Sequence, residues 1–462
     1  MSYKYLSLSL LFSVFISCSK PTPIQEFWLT DPKGGVLFEM VKEVQSPKDS
    51  LVTIVVDPET TYQTMDGFGF TLSQGSAKHL LAMSDSARSA LLKELFGNGD
   101  KDIRVSYLRL PVAASDLNEF PFSYNDLKDS LATDPELKNF SLSYDTLDVI
   151  PVLKQILGIN PTIKLMASPW SPPNWMKDNK DSRGGSLLEE FEPAYAQYLV
   201  KYIQEMEKLG FSIEALTIQN EPLHPGNNPS LLMHPEQQAR FIGRHLGPAF
   251  QASGITTKIL VYDHNADRPD YPITVLSDSI ANPFIDGSAF HLYGGQIDAL
   301  SEVHQAFPDK NIYFTEQWVG APGSLEGDIP WHVKNLLIGA PRNWAKTVLE
   351  WNLSSNPELT PHTDRGGCEK CLGAVTIDGD FIARNPAYFV IAHASKFVDP
   401  GSFRIDSSVA EGLPNVAFIR PDGKKVLIAL NDSSQPIHFK IQENEKFIYG
   451  SLSPGATGTW VW

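Results

Sequence analysis

The chain has 462 residues, 42% of them hydrophobic and 11% aromatic, enough to bury a large core and to divide into more than one domain. Its formal net charge of −16 and pI near 5.1 would repel a phosphate backbone, which argues against nucleic acid as a partner. With no long charge run and this much apolar content, the chain is expected to be globular rather than disordered.

At the N-terminus, Lys4 precedes an apolar run from Leu6 to Ile16 that ends at Ser17-Cys18. The run is too short to span a bilayer and reads as a secretory signal. A small residue followed by Cys resembles the processing site of bacterial lipoproteins, which makes Cys18 the candidate lipidation site. Phe15 and Ile16 depart from the usual residues there, and an ordinary cleaved signal is the alternative. Residues 1–18 are therefore assigned to the signal and 19–35 to a polar tether. The expected location is exported: an outer-membrane lipoprotein or a periplasmic protein, touching the membrane only through its anchor.

Residues 36–60, with "LVTIVVDP", read as strands. From 61 to 398, eight short apolar runs alternate with helical patterns. They are "TMDGFGFT", "DIRVSYLRLPV", "TIKLMASPW", "EALTIQNEP", "KILVYDHN", "GSAFHLYG", "NIYFTEQW" and "TVLEWNL". Such runs suit strands covered on both faces. Between them, Ser84 can cap one helix. "EPAYAQYLVKYIQEMEKLG" gathers Tyr195, Leu199, Tyr202, Met206 and Leu209 on one face, with Pro193 at its start and Gly210 past its end. A third, "HPEQQARFIGRHLGPAF", should be distorted near Pro248. Eight such units predict a closed (β/α)8 barrel. An open doubly wound sheet is the competing arrangement, but "GFGF" lacks the third glycine of a phosphate-binding turn. Residues 399–462 again read as strands, with a hairpin signal at "RPDGKK". Both ends of the chain are expected to form one small β-sandwich beside the barrel, in a supporting role.

Cys368 and Cys371 lie in the Gly-rich loop "HTDRGGCEKCLG". A zinc site needs four ligands, and only His362 and Asp364 stand nearby, so a local disulfide is expected rather than a metal. No cofactor is expected.

In such a barrel the residues at the C-terminal ends of strands face the active site. In order they are Arg109 with Asp116 beyond it, Trp170 and Trp175, Asn220 and Glu221, Asp263 and His264, His291 and Tyr293, Glu316, and finally Trp351 and Asn352. Packing alone accounts poorly for this set, since Glu and Arg are rarely buried unpaired. Two carboxylates on strands four and seven can meet across the mouth and divide the work of glycoside hydrolysis, one protonating the departing oxygen and one attacking carbon. Arg109 is the candidate to keep the nucleophile ionised. Asp263 and His264 read as loop stabilisers, and His291 as a weaker candidate.

The ordered set "DGFGF", "YLRLPV", "ASPWSPPNWMK", "TIQNEP", "HLYGG", "YFTEQW", "EWNL" and "LSPGATGTWVW" resembles glycoside hydrolase family 30, the glucosylceramidase-like and endo-β-1,6-glucanase-like enzymes. The likeness runs from about Asp66 to the C-terminus. It implies a barrel with a side β-sandwich and a retaining mechanism on β-glucosides. Glu221 then looks like the acid/base and Glu316 like the nucleophile, with Asp116, Trp170, Asn220, Tyr293 and Trp351 as sugar-binding positions. Two departures stand out: Phe70 replaces an expected glycine, and "RGGCEKC" replaces the expected loop after strand eight, which bears on the aglycone. The alternatives are the same chemistry on a xyloside or fucoside, and a surface lipoprotein that only binds glycans. The expected partner is a carbohydrate or glycolipid substrate.

Overall fold

The computed structural model describes residues 20–21, 26–41 and 51–462. The signal assignment and Cys18 lie outside the described residues.

Eight parallel strands close into a barrel in strict chain order. They are β1 (Gly67–Thr71), β2 (Tyr107–Val112), β3 (Lys164–Pro169), β4 (Ala215–Thr217), β5 (Lys258–Ala266), β6 (Ile285–Gly295), β7 (Asn311–Glu316) and β8 (Ala345–Asn352). The eight runs read from the sequence each overlap one of these strands. β4 is only three residues long, so Asn220 and Glu221 lie beyond it rather than at its tip. Pro111 does not end β2. It sits inside the strand, in register with Ser168, although it has no N–H to give to the ladder.

Alternation along the strands builds the barrel interior in layers. One apolar layer takes Tyr107, Met166, Ala215, Leu260, Ala289, Tyr313 and Leu349, one residue from each strand after β1. Two residues further toward the C-terminal ends, the same inward positions are Arg109, Ser168, Thr217, His291, Thr315 and Trp351. The barrel thus changes from apolar to polar within one layer. β5 breaks the alternation. A register shift opposite Ala289 and Phe290 passes from Tyr262 to His264, leaving Asp263 as the extra, bulged residue. Tyr262 and Asp263 adopt φ of 73° and 65°. Tyr262 joins the outer core, and Asp263 enters the polar layer in its place.

The helices follow their sequence signals. Ser84 accepts the Ala87 N–H at the start of Asp85–Phe96, and Pro193 stands in the first turn of Glu192–Lys208. The helix beginning at Pro235 widens into a π segment over Ile242–Leu246 just before Pro248. That proline lacks the N–H that would bond back to Arg244.

Among the described residues, ten strands from both ends of the chain form the second unit. Strand Val52–Thr64 pairs with Ile437–Glu443 along its first residues and with Phe403–Ser407 along its last, so one strand serves both layers of the sandwich. A core including Phe27, Ile54, Ile405, Leu427, Phe439 and Trp460 fills it. The tether assignment for 19–35 is corrected here. Glu26–Asp31 is a strand paired with Thr457–Val461, and the Phe27 ring stacks on Trp460 at 4.6 Å. Barrel and sandwich meet along the fully buried helix Pro386–Ser395. Its His393 bridges the hydroxyls of Thr30 and Thr459, both at 2.8 Å.

Candidate active site

The bulged Asp263 is the electrostatic centre of the polar layer. Its Oδ2 accepts from Arg109 (2.9 Å), Ser168 (3.0 Å) and Thr217 (2.6 Å), and its Oδ1 from His291 Nε2 (3.1 Å) and Thr315 (2.7 Å). Burial disfavours the charge, but Arg109, His291 and these hydroxyls hold the carboxyl far below the usual carboxylate range. The expectation that Asp263 stabilises a loop is corrected: it lies wholly buried inside the barrel and orients two cations.

Arg109 uses its other donors on the site itself. Nη1 reaches Glu316 Oε2 at 2.5 Å, and Nη2 reaches Asn220 Oδ1 at 2.7 Å, which turns the Asn220 amide nitrogen away from the guanidinium. The guanidinium carbon stands 4.8 Å from the Trp170 ring centre and 5.8 Å from that of Trp351. Tyr293 donates its hydroxyl to Glu316 Oε1 at 2.9 Å.

Glu221 approaches from the other side. Its φ of 46° is left-handed and costly for a non-glycine residue, and its backbone N–H is tied to the Asp263 carbonyl at 2.9 Å. Oε1 lies 3.3 Å from His291 Nδ1, and Oε2 accepts from Asn227 at 3.1 Å. His291 Nδ1 is also 3.7 Å from Glu316 Oε1, and single oxygens of the two glutamates lie within 4.8 Å of each other. Burial opposes a charge on His291, but Glu316, Asp263 and Glu221 together push it up to about 9.

Protonation follows from these contacts. Burial raises Glu316, with Glu221 and Asp263 adding to it against His291 and Arg109. Burial also raises Glu221, but His291, helped by His264 and His224, outweighs it and leaves Glu221 lowered. The hydrogen bonds decide where an exchangeable proton can sit. Both Glu316 oxygens accept from groups that do not give up their protons near neutral pH, a guanidinium and a phenol. Glu221 faces an imidazolium, and a proton can pass along that one contact. Glu316 therefore rests on two donors that keep their protons, while Glu221 stands beside the one group that can exchange a proton with it.

The pocket above encloses about 310 Å³ and is lined by Asp116, Glu221, His264, Tyr293, Glu316 and Trp351 among the expected residues, so His264 lies in the wall rather than only steadying a loop. Asp116 is buried with Oδ1 unpartnered. Burial, with the Glu316 and Glu221 charges, pushes it up to about 8, so it carries a proton at neutral pH. Arg109, Trp170, Asn220 and His291 are not brought to the lining. Trp170 packs behind Trp351, ring centres 5.4 Å apart. The sequence reading missed His224, Asn227, Asn265 and Trp318, which also line the pocket. Trp318, two residues after Glu316, was legible as an aromatic past a strand end. Asn265 was equally legible as the polar end of the fifth run, whereas His224 and Asn227 sit where no period or motif marks them. Cys368 and Cys371 are disulfide-bonded and form part of the wall.

A (β/α)8 barrel with paired glutamates, one beyond its fourth strand and one at the end of its seventh, flanked by a β-sandwich, is the architecture of an O-glycosyl hydrolase. The chain belongs to glycosyl hydrolase family 30: residues 65–398 match the family's TIM-barrel domain, and 401–460 its beta sandwich domain. Endo-1,6-beta-D-glucanase neg1 of Aspergillus fumigatus is 31% identical over 86% of this chain and 85% of its own length. Lysosomal acid glucosylceramidase of Mus musculus is 31% identical over 88% of this chain and 83% of its own. The solved endo-beta1,6-glucanase BT3312 superposes with a TM-score of 0.87 at 31% identity, covering 95% of this chain and 99% of that one.

Proposed function

We propose that the chain cleaves β-glucosidic bonds with retention of configuration, Glu316 attacking the anomeric carbon and Glu221 serving as acid and then base. The observation that carries this is the glutamate pair itself, with oxygens within 4.8 Å and a guanidinium on one partner only. Retaining pairs stand about 5–5.5 Å apart, whereas inverting pairs need about 6.5–9.5 Å to admit a water. In the first step Glu221 gives its proton to the departing oxygen while Glu316 forms the glycosyl ester. In the second, Glu221 takes a proton from water, which releases the sugar. His291, orienting Glu221 and able to exchange a proton with it, readies the acid. Asp116 offers the bound sugar a protonated carboxyl.

Among substrates, linear β-1,6-glucan is favoured by the similarity to the two endoglucanases. A glucosylceramide is the second reading, favoured by the likeness to the mouse enzyme. Product analysis on both substrates side by side tests the choice. Glucooligosaccharides from the glucan support the first reading, and glucose from the glycolipid alone overturns it. Export with a lipid on Cys18 is likewise our proposal. Labelling by radioactive palmitate should disappear in Cys18→Ala, and persistence of the label would refute it.

A further inference from the structure

The loop after β8 is fastened on both sides of the pocket. Toward Glu221, Asn228 donates to the Asp364 carbonyl at 2.9 Å, Thr363 donates to the Asn228 carbonyl, and Arg365 grips Asp181 through two hydrogen bonds of 3.0 Å. Toward Glu316, Cys371 and Leu372 pair antiparallel with Gly320 and Val319, and the Ala321 N–H donates to the Lys370 carbonyl at 2.8 Å. Between these attachments the Cys368–Cys371 disulfide closes the loop. The Gly366 and Gly367 backbones lie against the Gly226 and Thr363 carbonyls, where a Cβ would collide.

Trp318 belongs to this assembly. It is partly buried, lines the pocket and, like Cys368, packs against the small cluster of Leu117, Trp170, Trp351 and Cys371. Its ring lies over Gly320, where an added Cβ would stand 3.5 Å from it, and Gly320 is the residue paired with Cys371. The disulfide therefore braces the strand on which this indole rests.

We propose that the disulfide-closed loop and Trp318 form the determinant for the leaving group, and that the leaving group it takes is a saccharide. The inference rests on the hydrolytic assignment of Glu221 and Glu316. The chemistry of the wall carries the choice of sugar. An indole face offers stacking to a pyranose, and His224, Asn227 and Asn265 offer hydrogen bonds around it. An acyl chain needs a run of aliphatic side chains, whereas every apolar group among the lining residues is aromatic or the disulfide.

The test compares kcat/KM for a β-1,6-linked glucotriose with that for β-glucosyl fluoride, whose leaving group is too small to reach the wall. In Trp318→Ala, and in the double variant Cys368→Ser/Cys371→Ser, the ratio of trisaccharide to fluoride should fall about tenfold or more, since tenfold corresponds to ~1.4 kcal/mol. A ratio unchanged in Trp318→Ala overturns the proposal, and it decides the matter even where the double variant fails to fold. Faster cleavage of glucosylceramide than of the trisaccharide by the wild type overturns the choice of a saccharide. Wild-type protein that hydrolyses neither the fluoride nor the trisaccharide overturns the hydrolytic assignment, and the inference with it.

Discussion

Arg109 shows how a single side chain sets the chemistry. It is fully buried and compensated by two carboxylates, Asp263 and Glu316. Removing one member of a buried ionic group leaves the others uncompensated, which costs about 3–5 kcal/mol. Arg109→Met should lower stability by about that amount, read by chemical denaturation, and should lower kcat as well. Full stability in this variant would contradict the ionic account. Glu221→Ala should slow turnover by about 10²–10⁴-fold, the usual worth of a general acid. Added azide should restore the rate and yield a β-glycosyl azide, and an α product would contradict the acid/base role. Asp116 ties function to pH. Its folded-state value near 8 exceeds the free value of 3.8, so its contribution to stability is complete below 3.8 and declines as pH rises through about 8. Asp116→Asn should therefore melt higher than wild type at pH 8 and lose that advantage toward pH 4. Identical melting curves at both pH values would refute the assignment. At this scale the two glutamates were legible because each is a carboxylate just past an apolar run. Asp263 was read at the end of its strand, but its place inside the barrel was not, because a bulge leaves no mark in the pattern of apolar residues.

Elements show which parts of the fold local sequence can specify. The eight barrel strands are apolar on both faces, and that property is visible in each run alone. The strand Glu26–Asp31 follows a polar stretch and pairs on one side with the nearby Val36–Met40 and on the other with Thr457–Val461, more than four hundred residues away. The second pairing is a tertiary fact that local sequence does not show, and a two-stranded hairpin alone is marginal without it. Phe27, stacked on Trp460, is the clearest probe of this strand. Phe27→Ala should cost about 3–5 kcal/mol, the range for a buried phenylalanine. A change below about 0.5 kcal/mol, as expected for a residue in a solvated tether, would contradict the strand assignment. The loop after β8 drew attention as a departure from the family pattern, and its CxxC suggested a disulfide. Its attachment to the loops after β3, β4 and β7 depends on barrel closure and could not be read from the sequence.

Across the whole molecule, the junction of barrel and sandwich depends on a neutral histidine. Burial pushes His393 down to about 3, well below its free value of 6.5. A depressed histidine contributes stability that is complete above pH 6.5 and is lost as pH falls toward 3, because the unfolded chain takes the proton first. His393→Gln keeps groups able to bridge Thr30 and Thr459 and removes the titration. Its stability should fall less steeply than wild type between pH 6.5 and pH 4, and parallel curves would refute this. The two-unit architecture was legible from the contrast between alternating β/α runs and terminal strands, though the histidine that joins the units carried no signal.

The central claim is that Glu316 attacks the sugar, and the most direct measurement traps that event. Incubation with a 2-deoxy-2-fluoro-β-glucosyl fluoride, which slows the second step more than it slows the first, should give a protein heavier by one fluoroglucosyl unit. Peptide mapping should place the sugar on Glu316, and Glu316→Gln should remain unlabelled. A stable adduct on any other residue, or an active enzyme that hydrolyses β-glucosides with inversion, would contradict the account.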